Sequence, residues 1–363
     1  MTRPESRRAA LTTAAPASVG AHALSAEDRD HLTRLFAKGT PPNTIRAWET
    51  DLAYISAWRK LRFEEDLEWP EHESVALTFI LDHSRDLSAA TPGDRARDVA
   101  EHLEAEGLRR GLTCPAASTL DRKIASWRAF HRMRNLSSPF EAPLVRQARQ
   151  KARNAADRAP SPKSAHPITR DVLKQLMASS GPGLRGLRDR AILSLGWASG
   201  GRRRSEIISL DLADLDLSEF DQKDRIWFRL PGTKTTLRGD TPRLVLKGTP
   251  ARALMAWIDA AGLKNGPLFR RITRHGTVGE QRLTPGGVAE IMRRLMRDAQ
   301  LPEDYASPHG LRSGFLTQAA LDNAPLQAAM KLSLHRSPTQ AQRYYADVEI
   351  AENPAASLYD KQS

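Results

Sequence analysis

The sequence predicts a mainly α chain of two domains, the first all-helical and the second mixed with short strands. Three observations predict it. Apolar residues recur at three- and four-residue spacing along most of the chain, strand-like runs occur only after residue 160, and a Pro/Ser-rich stretch separates two domain-sized blocks. A chain of 363 residues is long enough for two domains, each burying its own core.

Residues 1–24 are Ala/Thr/Pro-rich, lack the continuous apolar stretch of a signal peptide, and read as a flexible tail. Order is expected from Ser25, an N-cap residue followed by Glu27 and Asp28, with Leu32, Leu35 and Phe36 at helical spacing. After Gly39-Thr40-Pro41-Pro42, the stripe Ile45, Trp48, Leu52, Ile55 and Trp58 predicts a longer helix. Further helical patterns cover Ser74 to Leu87, Pro92 to Glu106 and Ala117 to Met133, so residues 25–158 read as a compact helical domain.

Between Arg122 and Arg170 twelve Lys or Arg face two acids, Glu141 and Asp157. A solvated helix face is the usual reading of a charge run, but such faces intersperse acids; their scarcity favours phosphate contact. Arg122, Lys123, Arg128, Arg146, Arg149, Lys151 and Arg153 are the candidate DNA-binding residues. Residues 159–169, with Pro160 and Pro162 among small polar residues, read as an interdomain linker.

Beyond it, Val172, Leu173, Leu176 and Met177 start a helix, and Ala191 to Trp197 is apolar enough for a buried one. Ile226 to Phe228 and Arg243 to Leu246 read as short strands flanking the loop that holds Lys234. Helices are expected again through Ala251 to Ala261, Gly287 to Ala299, Leu311 to Leu321 and Leu326 to Leu334.

Composition narrows the partner. The net charge of +12 and pI near 10.1 attract polyanions, nucleic acid first. No apolar run approaches the roughly 18 residues of a spanning helix, which argues against a membrane role. A single cysteine, Cys114, excludes an internal disulfide and a Cys-rich zinc site, as expected in a prokaryotic cytoplasm, here beside the nucleoid.

Four clusters in the second half carry candidate chemistry: Gly201-Arg202-Arg203-Arg204-Ser205-Glu206, Lys234 between the strands, His309-Gly310-Leu311-Arg312, and His335 through Tyr344-Tyr345. Each alone has a bland reading, as a basic patch, a loop lysine, a helix-surface pair or a core aromatic pair. In order and spacing they resemble the catalytic domain of the tyrosine recombinase family, which includes phage integrases, Xer recombinases and Cre. The resemblance runs from about Arg170 to Asp347, and the helical first half is similar to that family's core-binding domain. It implies an α+β catalytic domain with a small antiparallel sheet over 170–348, and a C-terminal segment, 349–363, that docks on a neighbouring subunit.

Residue by residue, the resemblance makes Arg203 the first catalytic arginine, with Arg202 in a usually apolar slot. It makes Lys234 the hairpin lysine, His309 and Arg312 the His-x-x-Arg box, His335 the later His/Trp position and Tyr344 the nucleophile. Glu206 is the supporting acid. Arg202 and Arg204 remain competitors for Arg203, and Tyr345 competes with Tyr344 through a one-residue register shift. Leu334 stands where glycine is common, and Gly310 where aspartate is.

Those residue types suit phosphodiester attack. Two guanidiniums clamp the charge that develops on nonbridging oxygens, without a metal. A phenol with pKa about 10 needs a proton acceptor and a cationic field, supplied by His309 and the arginines. Lys234 can protonate the leaving 5′ oxygen, and His335 can hydrogen-bond a phosphate oxygen. The expected activity is site-specific recombination through a 3′-phosphotyrosine, with no cofactor and with double-stranded DNA bearing a specific site as partner. The expected assembly is a monomer in solution and a homotetramer in synapsis. The alternatives are a type IB topoisomerase-like enzyme, a non-catalytic DNA-binding regulator, and a metal nuclease using Asp211, Asp214, Asp216 and Asp221.

Overall fold

In the computed structural model, residues 18–19, 22–156, 163–231 and 243–351 are described. The chain divides into two units, Met1–Ser161 and Pro162–Ser363, and is mainly α with small antiparallel sheets.

In the first unit a two-residue pairing, β1 (Ser18–Val19) with β2 (His22–Ala23), lies within the stretch read as tail. Six helices follow: α1 (Ala26–Gly39), α2 (Pro42–Phe63), α3 (Glu73–Asp82), α4 (Arg95–Ala105), α5 (Ala117–Met133) and α6 (Pro143–Asn154). Ser25 caps α1, its Oγ accepting from Asp28 N at 3.0 Å, yet α1 buries none of its residues and leaves Leu35 and Phe36 exposed. The stripe of α2 does what its spacing predicts. Ile55 and Trp58 are buried with Phe79, Trp127 and Phe140, and the Trp58 and Phe79 rings meet edge-on, centroids 4.9 Å apart. Helix α6 was hidden in the charge run: Val145 is buried, and Arg146, Arg149, Lys151 and Arg153 all ride on it.

The first unit also buries charge, and pairs it internally. Asp51 accepts from Arg122 at 2.5 Å and Ser126 at 2.7 Å, and Arg59 donates to Glu71 at 3.1 Å. His83 Nδ1 lies 2.6 Å from Phe79 O and donates to it, so Nε2 accepts from Tyr54 OH at 2.6 Å. Burial pushes the His83 pKa down to about 3, which keeps this ring neutral.

In the second unit, residues 163–169 depart from the expected linker and are built into the domain. Ile168 is fully buried, its N–H donates to Gly310 O at 2.9 Å, and its carbonyl accepts from Trp197 Nε1 at 2.8 Å. Glycines make the approach physically admissible. A Cβ on Gly314 would fall 1.9 Å from Ile168 O, and one on Gly310 2.9 Å from Ser164 Oγ.

Helices α7 (Arg170–Ala178) and α8 (Leu184–Ala198) begin the core, and α8 buries Ala191 through Gly196. Then come α9 (Arg204–Ser209), β3 (Leu215–Asp216), α10 (Phe220–Lys223), β4 (Arg225–Arg229), β5 (Arg243–Lys247) and α11 (Thr249–Ala260). After β6 (Arg270–Ile272) and β7 (Val278–Arg282), helices α12 (Pro285–Asp298), α13 (Gly310–Leu321), α14 (Leu326–Ser333) and α15 (Pro338–Ala351) complete the unit. Strands β3-β4-β5 pair antiparallel, with Ile226 opposite Leu246 and Phe228 opposite Leu244; these alternate residues turn inward against the core of α8 and α11. Strands β6 and β7 form a separate hairpin.

Candidate active site

Three distant chain segments meet at one backbone joint. Gly200 (φ +102) lies so close to α14 that a Cβ would fall 2.3 Å from the Leu332 carbonyl carbon, and on Gly201 (φ +72) one would fall 2.2 Å from Arg312 Cα. Only glycine combines that backbone conformation with that approach. The joint brings the end of α8, the start of α13 and the end of α14 together around an open cleft of about 340 Å³ lined by Arg202, Arg203, Arg204, Ser205, Ser307, Pro308, His309 and Arg312.

The arginine triplet splits by environment. Arg203 immediately precedes α9 and is half exposed; its Nη1 donates to Glu206 Oε1 at 2.5 Å and its N–H to Oε2 at 3.2 Å. Its positive charge depresses the pKa values of Arg312, His309 and His335 alike, so it faces all three. Arg204 is exposed at the rim, whereas Arg202 is only 1% exposed. The buried Glu206 therefore holds Arg203.

Arg312 is buried, and its Nη1 donates to Gly201 O at 3.1 Å. Its Nε donates to His335 Nε2 at 3.2 Å, and its Nη2 lies 3.1 Å from His335 Nδ1, which is also 2.8 Å from Ser333 Oγ. Burial and the neighbouring arginines push the His335 pKa down to about 4 and that of Arg312 to about 10: at neutral pH the imidazole is neutral and the guanidinium charged. Leu334, just before His335, has φ +56 at the end of α14, the left-handed geometry that explains why glycine is common there.

Tyr344 OH lies 3.2 Å from His309 Nε2. Burial, with Lys163, Arg312 and Arg203 nearby, pushes the His309 pKa down to about 4, so its free base is ready to accept a proton at pH 7. The adjacent tyrosine points elsewhere. Tyr345 is buried against Leu316, Ala320 and Ala329, and its hydroxyl donates to Ala324 O at 3.2 Å. Neighbouring helical residues point about 100° apart, which is how one tyrosine anchors the helix while the other faces the cleft.

Arg203, His309, Arg312, His335, Tyr344 and Glu206 are thus brought together. Lys234 lies outside the described residues, although the strands flanking its loop, β4 and β5, pair as expected. Sequence reasoning missed Ser333 and the buried state of Arg202; for the latter the signal was an arginine in a usually apolar slot.

The candidate DNA-binding residues are less uniform. Lys123 departs from the expected phosphate contact: it is buried, with Nζ 3.1 Å from the Tyr54 ring centroid and 4.0 Å from Asp51, and desolvation pushes its pKa down to about 7. Arg122 is tied to Asp51, Arg128 to Glu141, and Arg149 and Arg153 share Asp121. Arg146 and Lys151 are exposed on α6, and Arg146 lines an open groove with Arg149 and Arg153.

Three of the four rival carboxylates are spent singly. Asp211 pairs with Arg282, Asp214 accepts from Asp211 N, and Asp216 is held by Ser218 and Arg243. Among the described residues no group of three or more His, Cys, Asp or Glu converges as a metal site.

A family profile described as the phage integrase family matches residues 167–350, more than half of the chain. The chain belongs to the phage integrase family. It is a tyrosine recombinase, of the class that cleaves and rejoins DNA in site-specific recombination. An integrase/recombinase XerD homologue from Selenomonas ruminantium is 27% identical over 335 residues, covering 90% of this chain and 89% of the relative. Tyrosine recombinase XerC of Pelotomaculum thermopropionicum is 29% identical over 265 residues, covering 70% and 78%. Among solved structures, the Tn1549 transposon integrase in complex with circular intermediate DNA matches with a TM-score of 0.51 at 17% identity, over 88% of this chain and 98% of that one. The XerH recombinase bound to palindromic difH substrate, a post-cleavage complex, matches at 0.50 and 15%, over 93% and 86%. At these identities the two structures establish the shared fold.

Proposed function

We propose that Tyr344 is the nucleophile of this recombinase, and that it attacks a DNA phosphodiester to form a 3′-phosphotyrosine. The observation that carries the reading is the 3.2 Å approach of Tyr344 OH to His309 Nε2 beside two arginines. His309, neutral at pH 7, takes the phenol proton as the phenolate oxygen bonds to phosphorus. Arg203 and Arg312 hold the nonbridging oxygens, with Glu206 fixing Arg203. Arg312 and His335, paired in the free site, both turn donors toward phosphate when DNA is bound. The 5′ oxygen leaves with a proton from Lys234, a role that rests on the family resemblance. Attack by another 5′-hydroxyl reverses each step, so bond energy is conserved in the phosphotyrosine and neither ATP nor a metal is required.

The partner is double-stranded DNA carrying a specific recombination site, approached through the basic face of α6 with Arg146, Arg149, Lys151 and Arg153. Recombination joins two sites, so the working assembly is a homotetramer formed in synapsis from protomers that are monomeric in solution. Of the segment 349–363, proposed to dock in trans, residues 349–351 end α15 and residues 352–363 lie outside the described residues. Among the described residues no helix is long and apolar enough to cross a membrane, and the proposed location is the prokaryotic cytoplasm at the nucleoid.

A suicide substrate that traps the covalent complex in EDTA tests the scheme. The DNA adduct should map to Tyr344. An adduct on Tyr345, or cleavage lost in EDTA and restored by Mg²⁺ but not by matched ionic strength, overturns it.

A further inference from the structure

Arg202, like the exposed Arg204, has no part in the proposed chemistry, but it alone of the triplet is buried. It borders the cleft but is only 1% exposed, and its guanidinium is committed to protein. Nη2 donates to Leu332 O at 2.6 Å and lies 3.3 Å from Gly200 O, and Nη1 stands 3.9 Å from Glu206 Oε2. Nε is buried with no hydrogen-bond partner.

Burying a guanidinium with incomplete pairing is unfavourable, and a well-packed apolar side chain of similar volume is often neutral or better for stability. The charge persists here: burial pushes the Arg202 pKa down only to about 10, with Glu206 opposing the shift. Fold stability alone therefore gives a weak account of this residue. Its contacts give a stronger one. Leu332 is the penultimate residue of α14, whose last carbonyls have no partner within the helix. Directly beyond it come Ser333, which holds His335 Nδ1, then His335 itself, then the helix that carries Tyr344. On the other side, Arg202 precedes Arg203 and shares Glu206 with it.

We propose that Arg202 is a positioning residue, a buried cationic tie between the end of α14 and the arginine segment that sets where His335 and the Tyr344 helix stand relative to Arg203 and Arg312. Glu206 then serves both halves of the site through its two oxygens, Oε1 for Arg203 and Oε2 toward Arg202. Gly200 completes the tie by letting the backbones touch, so the joint is spanned by a backbone contact and a side-chain bridge in parallel.

The inference rests on Tyr344 as nucleophile, and the experiment separates the two claims. Full-length wild type, Arg202→Leu and Arg202→Lys are compared in thermal unfolding, DNA affinity, and single-turnover formation of the trapped adduct with protein saturating over DNA. A tie that positions catalytic groups loses rate without losing binding, because a displacement near 1 Å can cost about 10²-fold. Arg202→Leu is expected to melt near wild type, to bind DNA within about threefold, and to cleave ~10- to 100-fold more slowly. Arg202→Lys keeps the charge and one carbonyl contact, and should fall between the two. A wild-type cleavage rate in Arg202→Leu overturns the proposal, as does a proportional loss of DNA affinity, which would make Arg202 a DNA contact. Should Arg202→Leu fail to fold, Arg202→Lys decides alone: unchanged affinity with slowed cleavage supports the tie, and a wild-type rate overturns it. If wild type itself forms its adduct away from Tyr344, the site assignment fails instead.

Discussion

The core of the helical unit and the cleft of the catalytic unit handle charge in opposite ways. In the helical unit each buried ion has a nearby opposite: Asp51 lies between Arg122 and Lys123, Arg59 meets Glu71, and His83 is held neutral between Tyr54 and Phe79. In the catalytic unit Arg202, Arg203, Arg204 and Arg312 gather around one cleft, and among the described residues the carboxylate that pairs with them is Glu206. The first arrangement is neutral within itself and asks for nothing from outside. The second has an excess of positive charge among the described residues, which under the proposed function a substrate phosphate balances. Charge density in sequence therefore says little about whether a cation is spent on the fold or held for a ligand; the count of acids in reach decides.

The largest effect should come from single hydroxyls within the catalytic unit, one in the site and one in the core. Tyr344→Phe is expected to abolish the covalent adduct while DNA binding persists, whereas Tyr345→Phe, which loses a hydrogen bond to Ala324 O, keeps the adduct at a stability cost of about 1 kcal/mol. Adduct formation on denaturing gels, alongside thermal melts, distinguishes the two.

Next in size are the cations themselves. Arg203→Ala or Arg312→Ala should slow single-turnover cleavage on the order of 10²- to 10³-fold with DNA affinity changed little. Arg59→Ala should instead strand Glu71 and destabilise the helical unit by about 3–5 kcal/mol, leaving cleavage per folded molecule intact. Equal proportional losses of binding and cleavage in Arg203→Ala would break the contrast.

Titration comes third. The folded pKa values of His309 and His335, about 4, and of His83, about 3, lie below the ordinary histidine value of 6.5. As pH falls below that value the unfolded chain takes up protons first, so stability is complete above it and is lost progressively toward pH 4. Both units should melt earlier on acidification. The cleavage profile, by contrast, should show no acid limb near 6.5, because His309 stays a free base down to about 4. A rate that halves near 6.5 would place His309 in a wetter site than this one.

The smallest expected effect separates surface cation from buried cation. Arg146→Ala on α6 should weaken DNA binding about equally for all sequences and reduce the salt slope by about 1. Lys123→Met should leave that slope unchanged, since Lys123 lies against Tyr54.

Much of this was readable from sequence because period and type coincide there. Ala117–Met133 appeared at both ends as a helix, and Ile226, Phe228, Leu244 and Leu246 alternate as inward strand residues must. Strand β7, Val-Gly-Glu-Gln-Arg, went unseen: paired only in a two-stranded hairpin, it carries no apolar alternation. Helix α6 was read only as charge, since its single buried apolar residue, Val145, makes no stripe. In the site, motif spacing located the chemical groups, but burial is a property of packing. Apart from the usually apolar slot that Arg202 fills, nothing local to Arg202 or Lys123 distinguishes them from their exposed neighbours; each is buried by segments distant in sequence, Leu332 in one case and Tyr54 in the other.

The glycine joint has a consequence for how this enzyme can change. Where Gly200 meets Leu332 and Gly201 meets Arg312, the contact is backbone on backbone, so no graded series of side chains exists between the present geometry and a displaced one. Any substitution there shifts a whole segment, and the corner fails by misassembly rather than by slowing in steps. It is a brittle point in sequence space. Arg204 at the rim and Arg146 and Lys151 on α6 are exposed, and can be exchanged without moving the joint. Under the proposed function, the strength of DNA binding can therefore be retuned through these outer side chains while the reacting corner stays as it is.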